Sequence, residues 1–189
     1  MASSINASTS SGIVQTADTS GILNLQSNGT TKVAVSSSGV DLTGLSKSSL
    51  PTGSVLQVVN ASYSTQSNTT STSFIDTGLT ASITPISATS KILVFVSQSG
   101  IYKAAANNYI KLQLLRGATV IVNFENEILN TGTATVNSGA TSTTYLDSPA
   151  TISATTYKTQ IAMGGAGVGP VYWCTSNCSA TITLMEIAA

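Results

Sequence analysis

The chain has 189 residues, of which 7% are charged, and Lys+Arg and Asp+Glu both number 7, so the formal net charge is zero. Ordinary globular chains carry about 25% charged residues; this one has too few cations for a nucleic-acid footprint or a polybasic lipid-binding segment. Histidine is absent, which closes Ser-His-Asp and Cys-His catalysis and His-bearing zinc sites within one chain, while a hydrophobic share of 41% exceeds what disordered chains carry.

Residues 1–44 repeat a cadence: Ser11-Gly12-Ile13-Val14, Ser20-Gly21-Ile22-Leu23, Asn28-Gly29, Ser38-Gly39-Val40 and Thr43-Gly44. Each Gly marks a turn. The segments between alternate apolar with polar residues, as in Leu23-Asn24-Leu25, Val33-Ala34-Val35 and Val40-Asp41-Leu42. That pattern predicts short β-strands. Strands so short bury too little apolar surface to offset their chain entropy. The economical partner is another copy of the same segment, so 1–44 reads as a β-rich anchor or stalk. Its first residues, Met1–Asn6, lack the basic and apolar regions of a signal peptide, so assembly in a cytoplasm is expected. No apolar run is long enough for a transmembrane helix, and membrane insertion is not expected.

Residues 45–53 read as a linker, with Pro51 and Gly53 breaking regular structure. From residue 54 the predicted strands lengthen: Val55–Ala61, Ser73–Leu79, Ala81–Pro85, Lys91–Val96, Tyr109–Leu115, Ala118–Phe124, Thr143–Leu146, Thr156–Met163, Val171–Cys174 and Ala180–Ile187. The unbroken apolar character of Lys91–Val96 predicts a strand covered on both faces, in a sandwich core or at a subunit interface. Tyr109–Leu115 places Ile110, Leu112 and Leu114 on one face. Ala180–Ile187 sets Ile182, Leu184 and Glu186 against Thr181, Thr183, Met185 and Ile187. No stretch has a helical period with caps. The fold class is therefore all-β, and strands spaced roughly 8–15 residues apart make 54–189 a β-sandwich of jelly-roll type.

Few residues suggest chemistry. Glu125 and Glu127 are the only carboxylates close in sequence. On an extended strand they share one face roughly 7 Å apart, near the spacing of paired glycosidase acids, but they would line one side of a sugar rather than flank it. The alternatives are a bound cation and, ahead of both, a solvated strand end or loop after Phe124. Cys174 and Cys178 bracket Thr-Ser-Asn, a spacing open both to free thiols and to a disulfide across a tight turn; two cysteines without histidine are too few for zinc. Gly164–Pro170 lacks the Lys-Ser/Thr and the helix of a phosphate loop and reads as a flexible hairpin tip. Tyr172 and Trp173 are adjacent, so on a strand they face opposite ways. One ring fills the core. The other sits at a subunit contact or, beside Gly165 and Gly167, stacks on a glycan. No cofactor or metal is expected.

Two sets of motifs resemble virion proteins of tailed bacteriophages. One is the arm, Gly12-Ile13-Val14-Gln15-Thr16-Ala17-Asp18 through Leu42-Thr43-Gly44. The other runs through Ser87-Ala88-Thr89-Ser90-Lys91-Ile92-Leu93-Val94, Leu114-Leu115-Arg116-Gly117, Tyr145-Leu146-Asp147-Ser148-Pro149-Ala150, Ala154-Thr155-Thr156-Tyr157-Lys158 and Ile182-Thr183-Leu184-Met185-Glu186-Ile187. The resemblance implies a homotrimer with an intertwined β arm and a jelly-roll tip, and it brings no catalytic residues. It implies a structural protein located on the virion, a short tail fibre or head decoration. Residues 1–44 would dock on other virion proteins. Two rival expectations are host attachment through a surface glycan and, further off, a glycan-degrading spike enzyme. The expectation taken forward is that the chain is not an enzyme.

Overall fold

The computed structural model describes residues 22–41, 50–134, 136–167 and 169–189. The backbone divides into two units, Met1–Ser49 and Leu50–Ala189. The repeats before residue 22, and Thr43-Gly44, lie outside the described residues.

In the first unit, Asn28 and Gly29 both take positive φ, 52° and 74°. That pairing makes a tight hairpin turn and folds β1 (Leu23–Ser27) back on β2 (Thr30–Ser36). With β3 (Gly39–Asp41) the strands form an antiparallel sheet in the order β1-β2-β3. Leu23 opposes Val35, Val35 opposes Val40, and Leu25 opposes Val33. Directly opposed residues share a face, so these apolar side chains lie together. Leu23, Leu25, Val35 and Val40 are exposed, Val40 by 60%.

The second unit has eight long strands: β4 (Val55–Tyr63), β6 (Ile75–Ile83), β7 (Lys91–Lys103), β8 (Asn108–Arg116), β9 (Thr119–Ile128), β10 (Val136–Asp147), β11 (Thr155–Gly165) and β13 (Ala180–Ile187). β5 (Ser67–Thr69) and β12 (Val171–Trp173) are short. β8 pairs with β9, β7 with β10, β6 with β11 and β4 with β13, all antiparallel. These pairs nest inside one another like a single long hairpin. Rolling it up brings β13 beside β7 and β11 beside β8. The resulting sheets, β4-β13-β7-β10 and β6-β11-β8-β9, are the two layers of a jelly roll. β12 and β5 extend the first sheet along the far half of β7.

Alternation fills the space between the layers. Ile92, Val94, Val96, Ile182 and Leu184 of one sheet meet Leu79, Ile83, Ile110, Leu112, Leu114 and Ile161 of the other, all at most 2% exposed. Within one chain the sandwich core covers only one face of Lys91–Val96. Leu93 is half-buried on the outer face and Phe95 is 40% exposed, because the second sheet packs on the inner side of β7 alone. Pairing aligns Val58 with Met185, Met185 with Leu93, and Leu93 with Leu146. The result is an apolar row across the outer face, with Val58 and Leu146 exposed by 52% and 56%.

Three expectations change. Ser73–Leu79 and Ala81–Pro85 are one strand, β6, whose register shifts against β11 around Gly78. β7 runs on past Val96 to Lys103, and β10 begins at Val136 rather than Thr143. The end of the expected linker is bonded to the sandwich. The Gly53 N–H donates to the Ala188 carbonyl (2.8 Å) and the Ala188 N–H to Ser54 (2.9 Å), which stitches the Pro51–Ser54 stretch to the last strand; residues 45–49 lie outside the described residues.

The residues that carried the phage resemblance converge in two buried polar knots. Arg116 donates through Nη1 to both oxygens of Asp147 (2.8 Å each), and the Tyr157 hydroxyl donates to Asp147 Oδ2 (2.7 Å), tying β8, β10 and β11 together. Burial, then the bond to Asp147, drives the Tyr157 phenol well above its ordinary range. Glu186 is fully buried and accepts from Gln57 Nε2 (2.5 Å) and the Ile86 N–H (2.7 Å). Burial pushes its carboxyl up, but these bonds outweigh burial and hold it below 4.5.

Candidate functional site

The far half of β7 is built differently from the near half. Its ladder to β10 slips where Gly139 opposes Ile101 and Ala140 opposes Ser99. At the slip Gly100 takes φ +65°, and a Cβ there would lie 2.5 Å from the Thr175 nitrogen. Only Gly lets the 174–175 backbone come so close. The Cys174 N–H donates to Ser99 O (2.9 Å), and Thr175 donates to Gly100 O through its N–H (3.3 Å) and Oγ1 (3.0 Å). After the slip Ile101 and Lys103 point inward and Tyr102 points out.

Tyr102 pairs directly with Tyr172 of β12. Their ring centroids are 5.1 Å apart and the planes are inclined by 45°. With Gln66, Thr175 and Ser176 they line a shallow cleft of about 350 Å³. A smaller concavity of about 250 Å³ lies across the same turn, lined by Gly100, Ile101, Gly139, Thr175, Ser176 and Cys178. The turn itself is strained: Cys174, Ser176 and Asn177 all take positive φ, at 54°, 57° and 60°. Non-glycine residues in that region cluster at functional sites.

The structure separates the residues proposed from sequence. Tyr172 faces the cleft. Trp173, its neighbour, is 3% exposed and donates its indole N–H to Thr77 O (2.8 Å), so it holds β12 to the core and cannot stack on a ligand. Gly165 and Gly167 do not line the cleft. They belong to a segment pressed on the β7–β8 turn rather than to a free hairpin tip. The Ala166 N–H donates to Asn107 O (3.2 Å), and a Cβ on Gly165, which has φ +91°, would meet that same oxygen at 2.0 Å. Cys174 and Cys178 are free thiols, so the disulfide weighed from their spacing is not formed. Cys174 is buried and its Sγ–H points to Tyr63 O (3.3 Å). Burial raises its thiol, and nearby Cys178 adds to the shift.

Glu125 and Glu127 lie within β9, not in a loop after Phe124. Glu125 accepts from the Thr141 hydroxyl of β10, and Glu127 from Asn130 Nδ2 (3.0 Å). Among the described residues no group of three His, Cys, Asp or Glu side chains is placed to hold a metal ion.

Sequence reasoning missed Tyr102, Gln66, Thr175 and Ser176. Ending the strand at Val96 left Tyr102 without a face. The usable signal was Ser99-Gly100, a Gly inside a strand pattern that marks a bulge and a close backbone approach.

No protein-family model matches the chain, and no curated protein matches it. Among solved structures it is similar to a chain in the crystal structure of the infectious bursal disease virus VP2 subviral particle. The identity is 11% and the TM-score 0.41, covering 70% of this chain and 38% of that one. The chain thus spans well under half the length of that neighbour.

Proposed function

We propose that this chain is a structural protein on the surface of a tailed-phage virion, a short homotrimeric fibre or head decoration whose task is to bind and persist. The observation that carries the reading is the uncovered apolar face of the arm: Leu23, Leu25, Val35 and Val40 are side by side and exposed. A three-stranded sheet of this size needs a partner over such a face. The outer row Val58–Met185–Leu93–Leu146 of the sandwich supports it. So does β10, which pairs with β7 alone among the described strands and lacks the Lys and Pro that guard free edges. The neutral chain puts no net repulsion between copies.

The polar knots at Arg116, Asp147, Tyr157 and Glu186 support a scaffold role for the motifs that resemble phage proteins. An enzymatic role finds less support, since Glu125 and Glu127 are each tied to a neighbour, Thr141 and Asn130.

Light scattering at micromolar concentration tests the assembly, with three times the chain mass expected; a monomer overturns it. Imaging virions that carry a C-terminal tag tests the location. Residues 50–189 alone should fold yet fail to attach to the particle. Full occupancy by the truncated protein would remove the anchor role of the arm.

A further inference from the structure

The geometry points to the Tyr102–Tyr172 cleft as a binding site for a neutral saccharide. The inference rests on reading the sandwich as an exposed module, but the cleft is complete within one chain.

Two inclined rings 5.1 Å apart form an apolar wedge. A pyranose presents the matching surface, a C–H face about one ring wide with hydroxyls around its rim. Tyrosine suits this use because its body is apolar and its tip polar. The rim of the cleft is polar and uncharged: Gln66, Thr175, Ser176 and the two phenols. Gln66 and Ser176 are exposed, and their side chains make no hydrogen bond to another described residue; both are free to meet hydroxyls. Thr175 Oγ1 spends its proton on Gly100 O (3.0 Å) and keeps its lone pairs as acceptors.

Among the described residues no cation or carboxylate lines the cleft. Lys103 is adjacent to Tyr102 in the chain, but it is fully buried and donates to Asn108 O (3.1 Å) and Thr131 O (2.7 Å). A phosphorylated or acidic sugar would therefore find no counter-charge. The volume of about 350 Å³ lies at the lower end for small-molecule sites, about 300–1,000 Å³, which fits one or two sugar units.

The floor is set before any ligand arrives. Cys174 and Thr175 are bonded to the Ser99–Gly100 backbone, and Trp173 anchors β12 from beneath. Little ordering is left to be done on binding.

Saturation-transfer NMR on the full chain tests this, with the methyl glycosides of glucose, galactose, mannose and N-acetylglucosamine each at about 10 mM, a level suited to weak single-site binding. Transfer to the ring C–H protons of at least one glycoside is expected, unchanged between about 50 and 500 mM NaCl because no ion pair is involved. Tyr172→Ala should weaken it by about tenfold or more. Gln66→Ala, in an exposed loop outside the core, should weaken it by severalfold while the melting temperature holds. No transfer from any of the four probes overturns the inference. So does transfer that survives both substitutions, or that salt abolishes. Light scattering on the same sample separates the two readings: a monomer that binds a glycoside keeps this inference and removes the trimer, and a trimer that binds none does the reverse.

Discussion

One strand carries two kinds of surface. In its first half, Lys91–Val96, β7 lies in register between β13 and β10. Regular register makes a smooth face, and its outer side is a flat apolar row suited to another protein surface. In its second half β7 is bulged at Gly100, loses β13 and gains the short β12. The bulge turns Tyr102 outward beside Tyr172 and lets a strained turn close one wall. The same backbone thus gives a plane where pairing is regular and a cleft where it is interrupted.

The largest expected effect strikes the regular end. Asp147 is buried and holds both Arg116 and Tyr157. Asp147→Ala leaves the buried phenol without its acceptor and the guanidinium with only the Ser148 carbonyl (3.3 Å), so a loss of about 3–5 kcal/mol is expected, measured by urea unfolding. A loss below 1 kcal/mol would mean that the knot is an ordinary surface pair.

Next is the bulge. Gly100→Ala combines a positive φ with a Cβ 2.5 Å from backbone, and a cost of about 1–3 kcal/mol is expected. The damage should be local. Amide exchange should quicken at Tyr102, Tyr172 and Thr175, while Ile92–Val96 stay protected. Uniform loss of protection would show that the two halves of β7 form one cooperative unit.

The regular end was also the legible end. Ala180–Ile187 has the bounds its alternation predicts, because no Gly or Pro interrupts it. Ile110, Leu112 and Leu114 share the buried face that period two assigns them. The bulged half was illegible because its composition looks like loop. Gln98 and Ser99 are polar, yet Gln98 is fully buried and its Oε1 accepts from Thr159 Oγ1 (3.3 Å). Tertiary contact, not local pattern, keeps that stretch extended. The break read between Leu79 and Ala81 closes for the same reason, since Thr80 pairs with Lys158 of β11 and β6 runs through it. As for the site, period two places Tyr172 and Trp173 on opposite faces. It cannot supply Tyr102, because cross-strand register is a property of the folded sheet.

A smaller effect on stability is expected from charging the flat face. Leu93→Lys with Leu146→Lys should change stability by less than about 1 kcal/mol, since the row faces outward. The self-association proposed for the chain should nonetheless weaken by about tenfold or more, because the row would then carry like charges on every copy. Sedimentation at several concentrations reads this. Unchanged association would leave the arm as the sole assembly surface.

The subtlest distinction is by pH, because the two halves of β7 carry opposite titrations. Glu186 opposes Ile92 at the regular end, and its carboxyl is held below 4.5 although burial works against it. A lowered acid contributes stability that is complete above its ordinary value and is lost as pH falls through the folded one. Cys174 lies at the bulged end, and burial raises its thiol above 9.0. A raised group contributes stability that is complete below its ordinary value and is lost as pH rises through the folded one. Acid should therefore loosen Glu186 and the Ile86–Ser87 backbone first, and alkali the Cys174–Thr175 turn first. Tyr157 is raised too, but from 10.0, so its contribution to the regular end begins to fade at higher pH than that of Cys174. Asp76 is lowered chiefly by Lys158, but the pair is exposed and contributes little. Glu186→Gln should lie below wild type near neutral pH and approach it as pH drops under 4.5. Cys174→Ala should remove the part of the alkaline loss that begins above 9.0, keep the later part due to Tyr157, and leave the acid limb unchanged. Melting curves of both variants across pH check this. If either variant altered both limbs, the two halves of β7 would titrate as one body rather than as two surfaces on a shared strand.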